Sequence, residues 1–360
     1  MPVAHVRPTT LADTEAISAV RQRNGLTALD CEEWLRWCEI NPFHDAYKGV
    51  TTGWVLATET GEVVGALSNI QMLYDFGGRP IRAATAGAWA VDREYRRQSL
   101  LLLTTYFQQN DIDLWVDGSA NEAASKILTA MKVPRIPAPD YDVPLLWPVR
   151  YRAFARAGVR RKGWSVPEGL IWPLAGGLRM ADWVRRGPLP RPTKVRRLEG
   201  FDERFERFWE KLRFNPQRMR AVRTRASLEW RFHRELRTGA ATVLVRENGH
   251  NLLGYAVLLE NFRDHLGLKM CDLADLQALG DDRETIRDLL LGAFHAARDK
   301  GAEAVKFLGS ETAKRSVALS LKPYSYRSSP WQLFYKIRDE SLRAVLAEPQ
   351  NWAFSPFDTF

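Results

Sequence analysis

The end of this 360-residue chain repeats its beginning, and a repeat at so long a period means two copies of one supersecondary module. In the first half, the strand-like run Glu62–Ser68 is followed by the apolar run Ala83–Val91 and a basic turn at Tyr95–Leu101. An apolar helix, a strand at Ile112–Val116 and a helix at Asn121–Met131 complete that copy. In the second half, Asn251–Leu258 is followed by Leu268–Leu276, a helix through Asp299, a strand at Ala304–Leu308 and a helix at Thr312–Leu321. The exits match as well, Met131-Lys132-Val133-Pro134 in one copy and Leu321-Lys322-Pro323 in the other. Strands alternating with helices predict an α/β (α+β) chain of two domains. The expected boundaries are residues 1–149 for the first domain, 150–192 for a connector, 193–340 for the second domain and 341–360 for an aromatic tail.

Local signals fill in the copies. Val3–Arg7 reads as a strand, and Thr10–Arg23 as a helix with Asp13 and Glu15 at its positive end. Asp30 suits the N-cap of a helix at Cys31–Ile40, ended by Asn41-Pro42. Glu59-Thr60-Gly61 and Asn248-Gly249 mark hairpins. Strands at Val143–Trp147 and Trp331–Ile337 are expected to close the first and second copies respectively.

The net charge of +9 is local: between Arg150 and Arg197 stand thirteen basic residues against Glu168 and Asp182 alone, so this segment carries +11 and the remainder nets −2. A single basic stretch argues against a nucleic-acid protein and for a local anionic partner. Within it, Gly169–Val184 is apolar and aromatic. It resembles an interfacial membrane segment, yet Pro173, Gly176 and Gly177 interrupt a helix, which favours a hydrophobic strap packed across both domains. Three cysteines without a CxxC point to a reducing, cytoplasmic setting, and the first residues lack a signal-peptide apolar region. No apolar run approaches the ~20 residues of a membrane span. The histidines lack ligand spacing, so no metal is expected.

The stretch Ala86–Leu103, AGAWAVDREYRRQSLLLL, carries the chemistry. An apolar strand ends at Val91, a basic turn follows, and a helix begins. Backbone amides at a helix start attract anions, and Arg96 and Arg97 add charge. The equivalent stretch of the second copy, Leu276–Arg283, carries Asp281 and Asp282, which repel a diphosphate.

With these residues the chain resembles the GNAT superfamily of acyl-CoA-dependent N-acyltransferases. That family has a strand ending in Val, a turn of the pattern R/Q-x-x-G-x-G/A, and then a helix. The turn here is Arg96, Arg97, Gln98, Ser99, Leu100 and Leu101, with Ser and Leu where the family has small residues. The helix pair with Trp34, Trp37, Asn41 and Pro42, the Val-Val-Gly-Ala hairpin and the unit with Asn121 extend the likeness over both copies. It implies, in each copy, a mixed, mostly antiparallel twisted sheet flanked by helices. It also implies an acyl-CoA, foremost acetyl-CoA, held by the turn, by the strand Ala88, Trp89, Ala90 and Val91, and by Asn121. Leu128 stands where the family often has a tyrosine acid, so no clear acid is present.

A protonated amine needs a base. Asp117, just past the strand after the basic turn, and His44, in the loop that borders the acceptor site in this family, are the candidates. The expected activity is acyl transfer to the primary amine of a small acceptor, an amino sugar or an amino acid. The second copy is read as degenerate. The alternatives are an aminoacyl-tRNA-dependent transferase of the Fem type and a non-catalytic acyl-CoA sensor. The basic connector, residues 150–197, suits an acidic acyl carrier protein or an anionic surface.

Overall fold

Strands buried along most of their length build two seven-stranded sheets, and a computed structural model describes residues 3–38, 40–47, 49–263, 267–328 and 332–359. The first sheet starts with β1 (Ala4–Pro8), β2 (Gly53–Thr58), β3 (Val63–Phe76), β4 (Arg79–Val91) and β5 (Leu114–Ala120), side by side in that order. Helices α1 (Thr14–Arg23) and α2 (Cys31–Cys38) lie between β1 and β2, α3 (Ser99–Phe107) between β4 and β5, and α4 (Glu122–Ala130) after β5. Glu39, inside the expected second helix, lies outside the described residues.

The chain then leaves for the second sheet. It runs through β6 (Leu145–Pro148), α5 (Tyr151–Arg161), α6 (Glu168–Arg186), β7 (Val195–Leu198) and α7 (Arg204–Leu212). A short β8 (Arg220–Ala221) returns to pair with β3, followed by α8 (Arg225–Arg231) and α9 (His233–Arg237). The hairpin of β9 (Ala241–Asn248) and β10 (Asn251–Arg263) turns at Gly249, whose φ of +58° needs the residue that the Asn-Gly signal supplies. β11 (Leu268–Ala278), α10 (Arg283–Asp299), β12 (Ala304–Phe307), α11 (Thr312–Ser320) and β13 (Tyr324–Ser325) follow. The last elements are β14 (Gln332–Ile337) and α12 (Glu340–Leu346).

The two copies exchange their closing strands. β6 pairs with β12 of the second sheet, from Ala304↔Pro148 to Phe307↔Leu145. β14 pairs with β5 of the first sheet, from Ile337↔Leu114 to Gln332↔Ala120. Each expected closing strand is therefore a strand, but in the other copy's sheet; Trp331 lies outside the described residues. Apolar patterning marks a strand without naming its neighbour, and two similar copies offer two similar edges.

The exchange gives the lobes a shared core. One apolar cluster runs from Ile17 and Trp34 through Tyr106 to Phe205, Tyr255 and Trp352. The segment after α12 lies between the sheets: Met219 donates to the Asn351 carbonyl and Ala353 to the Met219 carbonyl. Arg223, fully buried, bonds Asp275 of β11 at 2.9 Å and reaches Asp358 at 3.5 Å, while the Tyr74 hydroxyl of β3 donates to Asp358 at 3.0 Å. The tail thus joins both sheets through buried charge.

The connector differs from its expected form. Gly169–Val184 is part of one continuous helix, α6, with Pro173 inside it, and it packs on α5 rather than across both lobes. Proline at the sixth helical position loses only one interior hydrogen bond, and the α5 contact outweighs it.

Candidate active site

The branch between β4 and β5 defines the site. These strands run parallel but pair only from Ala83↔Leu114 to Thr85↔Val116, and past that point they separate. Tyr106 of α3 sits at the fork, its buried hydroxyl 2.7 Å from the Ala84 carbonyl of β4 and 3.2 Å from the Val116 carbonyl of β5. Burial drives this phenol well above its ordinary pKa, so it stays protonated and acts as a tie between the strands rather than as an acid.

On β4 the pairing with β3 steps from Ser68↔Gly87 to Ala66↔Ala90, which leaves Ala88 and Trp89 opposite Leu67 alone. This is a β-bulge, and Ala88 takes a φ of +46°. A bulge re-aims backbone donors and side chains beside a cleft. Trp89 packs against the core with its indole Nε1 buried and without a partner, a donor left over for something else. Ala90 and Val91 return to the ladder against Ala66 and Gly65.

After Val91, Asp92 is held by Arg23 at 2.6 Å and by the Asn24 amide at 3.0 Å, so its charge is spent on α1. Arg93–Gln98 form a 3-10 turn that runs straight into α3. The Ser99 amide donates to the Arg96 carbonyl and the Tyr95 amide to the Asp92 carbonyl. In this conformation the amide at Ser99 is already engaged, a difference from the open anion site that the sequence suggested. Arg96 and Arg97 are exposed, and so are Leu100 and Leu101, whose side chains point away from the core and leave the backbone uncrowded. The Gln98 side chain accepts from the Ala4 amide at 3.0 Å. Asn121 is the N-cap of α4, its side-chain oxygen accepting from the Ala124 amide at 3.0 Å.

Asp117 lies on β5 one residue past the last β4 pair. It shares a narrow cleft, with room for about one water, with Tyr106, Phe107 and Leu128. Desolvation in this apolar setting raises its carboxyl from 3.8 to about 6, against the opposing pull of the Ser119 and Ala120 amides. The other candidate stands elsewhere. His44 is exposed on the 3-10 turn His44–Tyr47. Tyr47 anchors that turn, donating to the Met72 carbonyl at 2.5 Å and accepting from the Ala83 amide at 2.7 Å, at the paired end of β4. The fork therefore brings Asp117 to Tyr106, with Trp89 on the bulge of β4 and His44 on a separate turn.

Sequence reasoning missed Tyr106 and the place of the tail beside the site. A single phenol in the apolar helix Ser99–Phe107 was the available signal for the first. For the second it was Gly118: a Cβ there would come 2.9 Å from Thr359 Cγ2 and 3.2 Å from Phe354 Cζ, so the tail walls the end of β5.

The second lobe repeats the fork, including a bulge where β11 steps from Val257↔Asp275 to Leu258↔Leu273. β11 and β12 pair only from Met270↔Ala304 to Leu273↔Phe307. Past that point Phe354, Ser355 and Pro356 of the tail lie against Leu273, Asp275 and Phe307. Asp282 caps α10, accepting from the Thr285 amide at 2.8 Å, and Asp281 pairs with Arg218 at 2.7 Å. The helix start that would receive an anion holds the protein's own carboxylates.

No family model matches this sequence, and no curated protein does. Solved structures do. A GCN5-related N-acetyltransferase from Kribbella flavida superposes with a TM-score of 0.57 at 13% identity, covering 94% of this chain and 72% of that one. N-myristoyltransferase from Saccharomyces cerevisiae, solved with bound myristoyl-CoA, gives 0.58 at 13% identity over 93% of this chain and 78% of its own. A GCN5-related N-acetyltransferase from Anabaena variabilis gives 0.56 at 13% identity over 93% and 72%. The chain has the GNAT fold in tandem, and both of its lobes take part in the match.

Proposed function

We propose that this protein is an N-acyltransferase that takes an acyl group from a CoA thioester, with acetyl-CoA the first donor to try, and passes it to a primary amine of a small acceptor. The observation that carries this reading is the asymmetry of the two forks. Both forks carry a bulge, but only the first adds an unpartnered buried indole N–H and a carboxyl raised to about 6. The second has Ser355 of the tail on Asp275 at its bulge and the Asp282 carboxylate at its helix start.

The residues fit a thioester. Exposed Arg96 and Arg97 supply charge for a diphosphate, and the 3-10 turn beside them is the part that would open to offer its amides. The strand Ala88–Val91 supplies backbone donors to the pantetheine arm and to the oxyanion that forms when the amine attacks the carbonyl. Asp117, with its carboxyl at about 6, accepts the proton of the attacking amine at neutral pH, directly or through the one water its cleft admits. The departing thiolate is then reprotonated by that same carboxyl or by solvent. Leu128, buried where a tyrosine acid stands in the family, takes no part.

The test is release of free CoA thiol with donors from acetyl-CoA to myristoyl-CoA and acceptors drawn from amino sugars and amino acids. Amine-dependent release that falls roughly 10²- to 10⁴-fold in Asp117→Asn supports the reading. Tight thioester binding without turnover over the whole panel would leave a sensor, and no binding at all would remove the proposal.

A further inference from the structure

The helix α6 turns an apolar face to water. Of its thirteen exposed residues only Glu168 and Arg179 are charged. At 100° per residue, the arc from Trp172 round to Leu174 spans about 200° and bears no charge. Trp172, Trp183 and Val184 are 62%, 67% and 74% exposed, and Leu170, Leu174 and Met180 stand with them. Inward, Ile171 and Ala175 pack on α5 with one carboxylate beside them. Asp182 is buried against α5, bonded to the Tyr151 hydroxyl, Arg185 and Arg186, each at 2.8 Å. A water-facing helix shows the opposite arrangement, and an apolar surface this continuous is an interaction site.

The charge around it identifies the partner. The Arg152 guanidinium lies 4.5 Å from the Trp172 ring centroid and Lys162 lies 5.0 Å from that of the exposed Trp164. Tryptophan flanked by Arg and Lys is the composition of a membrane interface. A second copy of this chain would bring its own excess of positive charge against this one, whereas an anionic bilayer complements it. A built pocket adds a second observation. A cavity of about 610 Å³ opens beside Trp172, with Arg152, Arg179, Arg186 and Arg298 in its wall. The Arg186 side chain is only 5% exposed, and its Nε and Nη1 find no partner while Nη2 is held by Asp182. Buried guanidinium donors without acceptors, next to an apolar face, match a phosphate carried on a lipid. The helix is about 28 Å long and bears five charges, so it lies on a bilayer rather than crossing one; among the described residues no helix is long and apolar enough to cross.

We propose that the α5–α6 hairpin is a membrane-docking element, the outward face of α6 seated in the interface of an anionic bilayer and a lipid phosphate held in the arginine pocket. The experiment is co-sedimentation of the full chain with vesicles of phosphatidylcholine alone and with about 30% phosphatidylserine. The expected result is binding roughly tenfold or more tighter on the anionic vesicles, weakened by added salt. The variant Met180→Ser/Trp183→Ser/Val184→Ser changes only exposed side chains and should lower binding to both vesicles at least ~tenfold with an unchanged melting temperature. Arg179→Glu should weaken binding to anionic vesicles and leave the weak binding to phosphatidylcholine as it was. No sedimentation with anionic vesicles overturns the proposal. So does binding that the triple serine variant leaves intact, or a wild-type dimer in the ultracentrifuge that the same variant splits, which would assign this face to a second copy.

Discussion

Asp117→Asn should make the protein more stable, and only at higher pH. The carboxyl rises from 3.8 to about 6 in the folded chain because its cleft strips water from the ion. A group whose folded pKa is raised contributes full stability below its unfolded pKa, near 4, and loses it as the pH climbs through about 6. That rise corresponds to at most about 3 kcal/mol, and partial exposure to water brings the expectation down to about 1–2 kcal/mol. Asparagine keeps the oxygen that accepts from the Ser119 amide at 3.0 Å and removes only the charge. For a chain of this size the gain amounts to ~1–3 °C in melting temperature. Thermal unfolding of both proteins across about pH 4 to pH 8 is the assay, and the two curves should converge at the acid end. An Asn variant that melts at or below the wild type at the alkaline end, or that gains equally at every pH, would refute the argument that desolvation governs this carboxyl.

Four further outcomes follow from named contacts. Arg223→Met leaves Asp275 and Asp358 buried without their shared cation and should cost about 3–5 kcal/mol in urea unfolding. Tyr106→Phe removes the hydroxyl between the Ala84 and Val116 carbonyls and should lower stability by about 1–2 kcal/mol, seen as a lower denaturant midpoint at unchanged slope. Gly118→Ala puts a methyl group against Thr359 and Phe354 and should cost about 1–3 kcal/mol, with faster proteolytic clipping of the tail. Trp89→Phe deletes an unpartnered donor and should leave stability within about 1 kcal/mol of wild type while weakening thioester binding in a calorimetric titration.

The repeat, the strand before the basic turn and the uneven treatment of the two copies are all legible in the sequence, because each is a matter of local residue type. Asp281 and Asp282 announce a helix start closed to anions, and the structure has Asp282 capping that helix. Asn121 is different: the resemblance made it a candidate for cofactor binding, and the helix-start preference of asparagine makes it a cap. What pairs with what was not legible. The exchange of β6 and β14 depends on which free edge each strand meets, and two similar sheets present the same pattern to both. The raised pKa of Asp117 likewise depends on Tyr106 and Leu128, brought in from two other elements, so its position suggested a role that only packing could tune. For α6, Pro173 and the glycines spoke against a helix, and the orientation of its apolar face was decided by the burial of Asp182 against α5.

The central claim is that one lobe holds an acyl-CoA and the other does not. Calorimetric titration of acetyl-CoA and myristoyl-CoA into the wild type, Arg96→Glu and Arg283→Glu addresses it directly. The expected result is one thioester per chain, at least ~tenfold weaker binding in Arg96→Glu, and wild-type affinity in Arg283→Glu, whose side chain lies at the helix start of the second lobe. Equal losses in the two variants, two thioesters per chain, or no heat of binding in the wild type would contradict it.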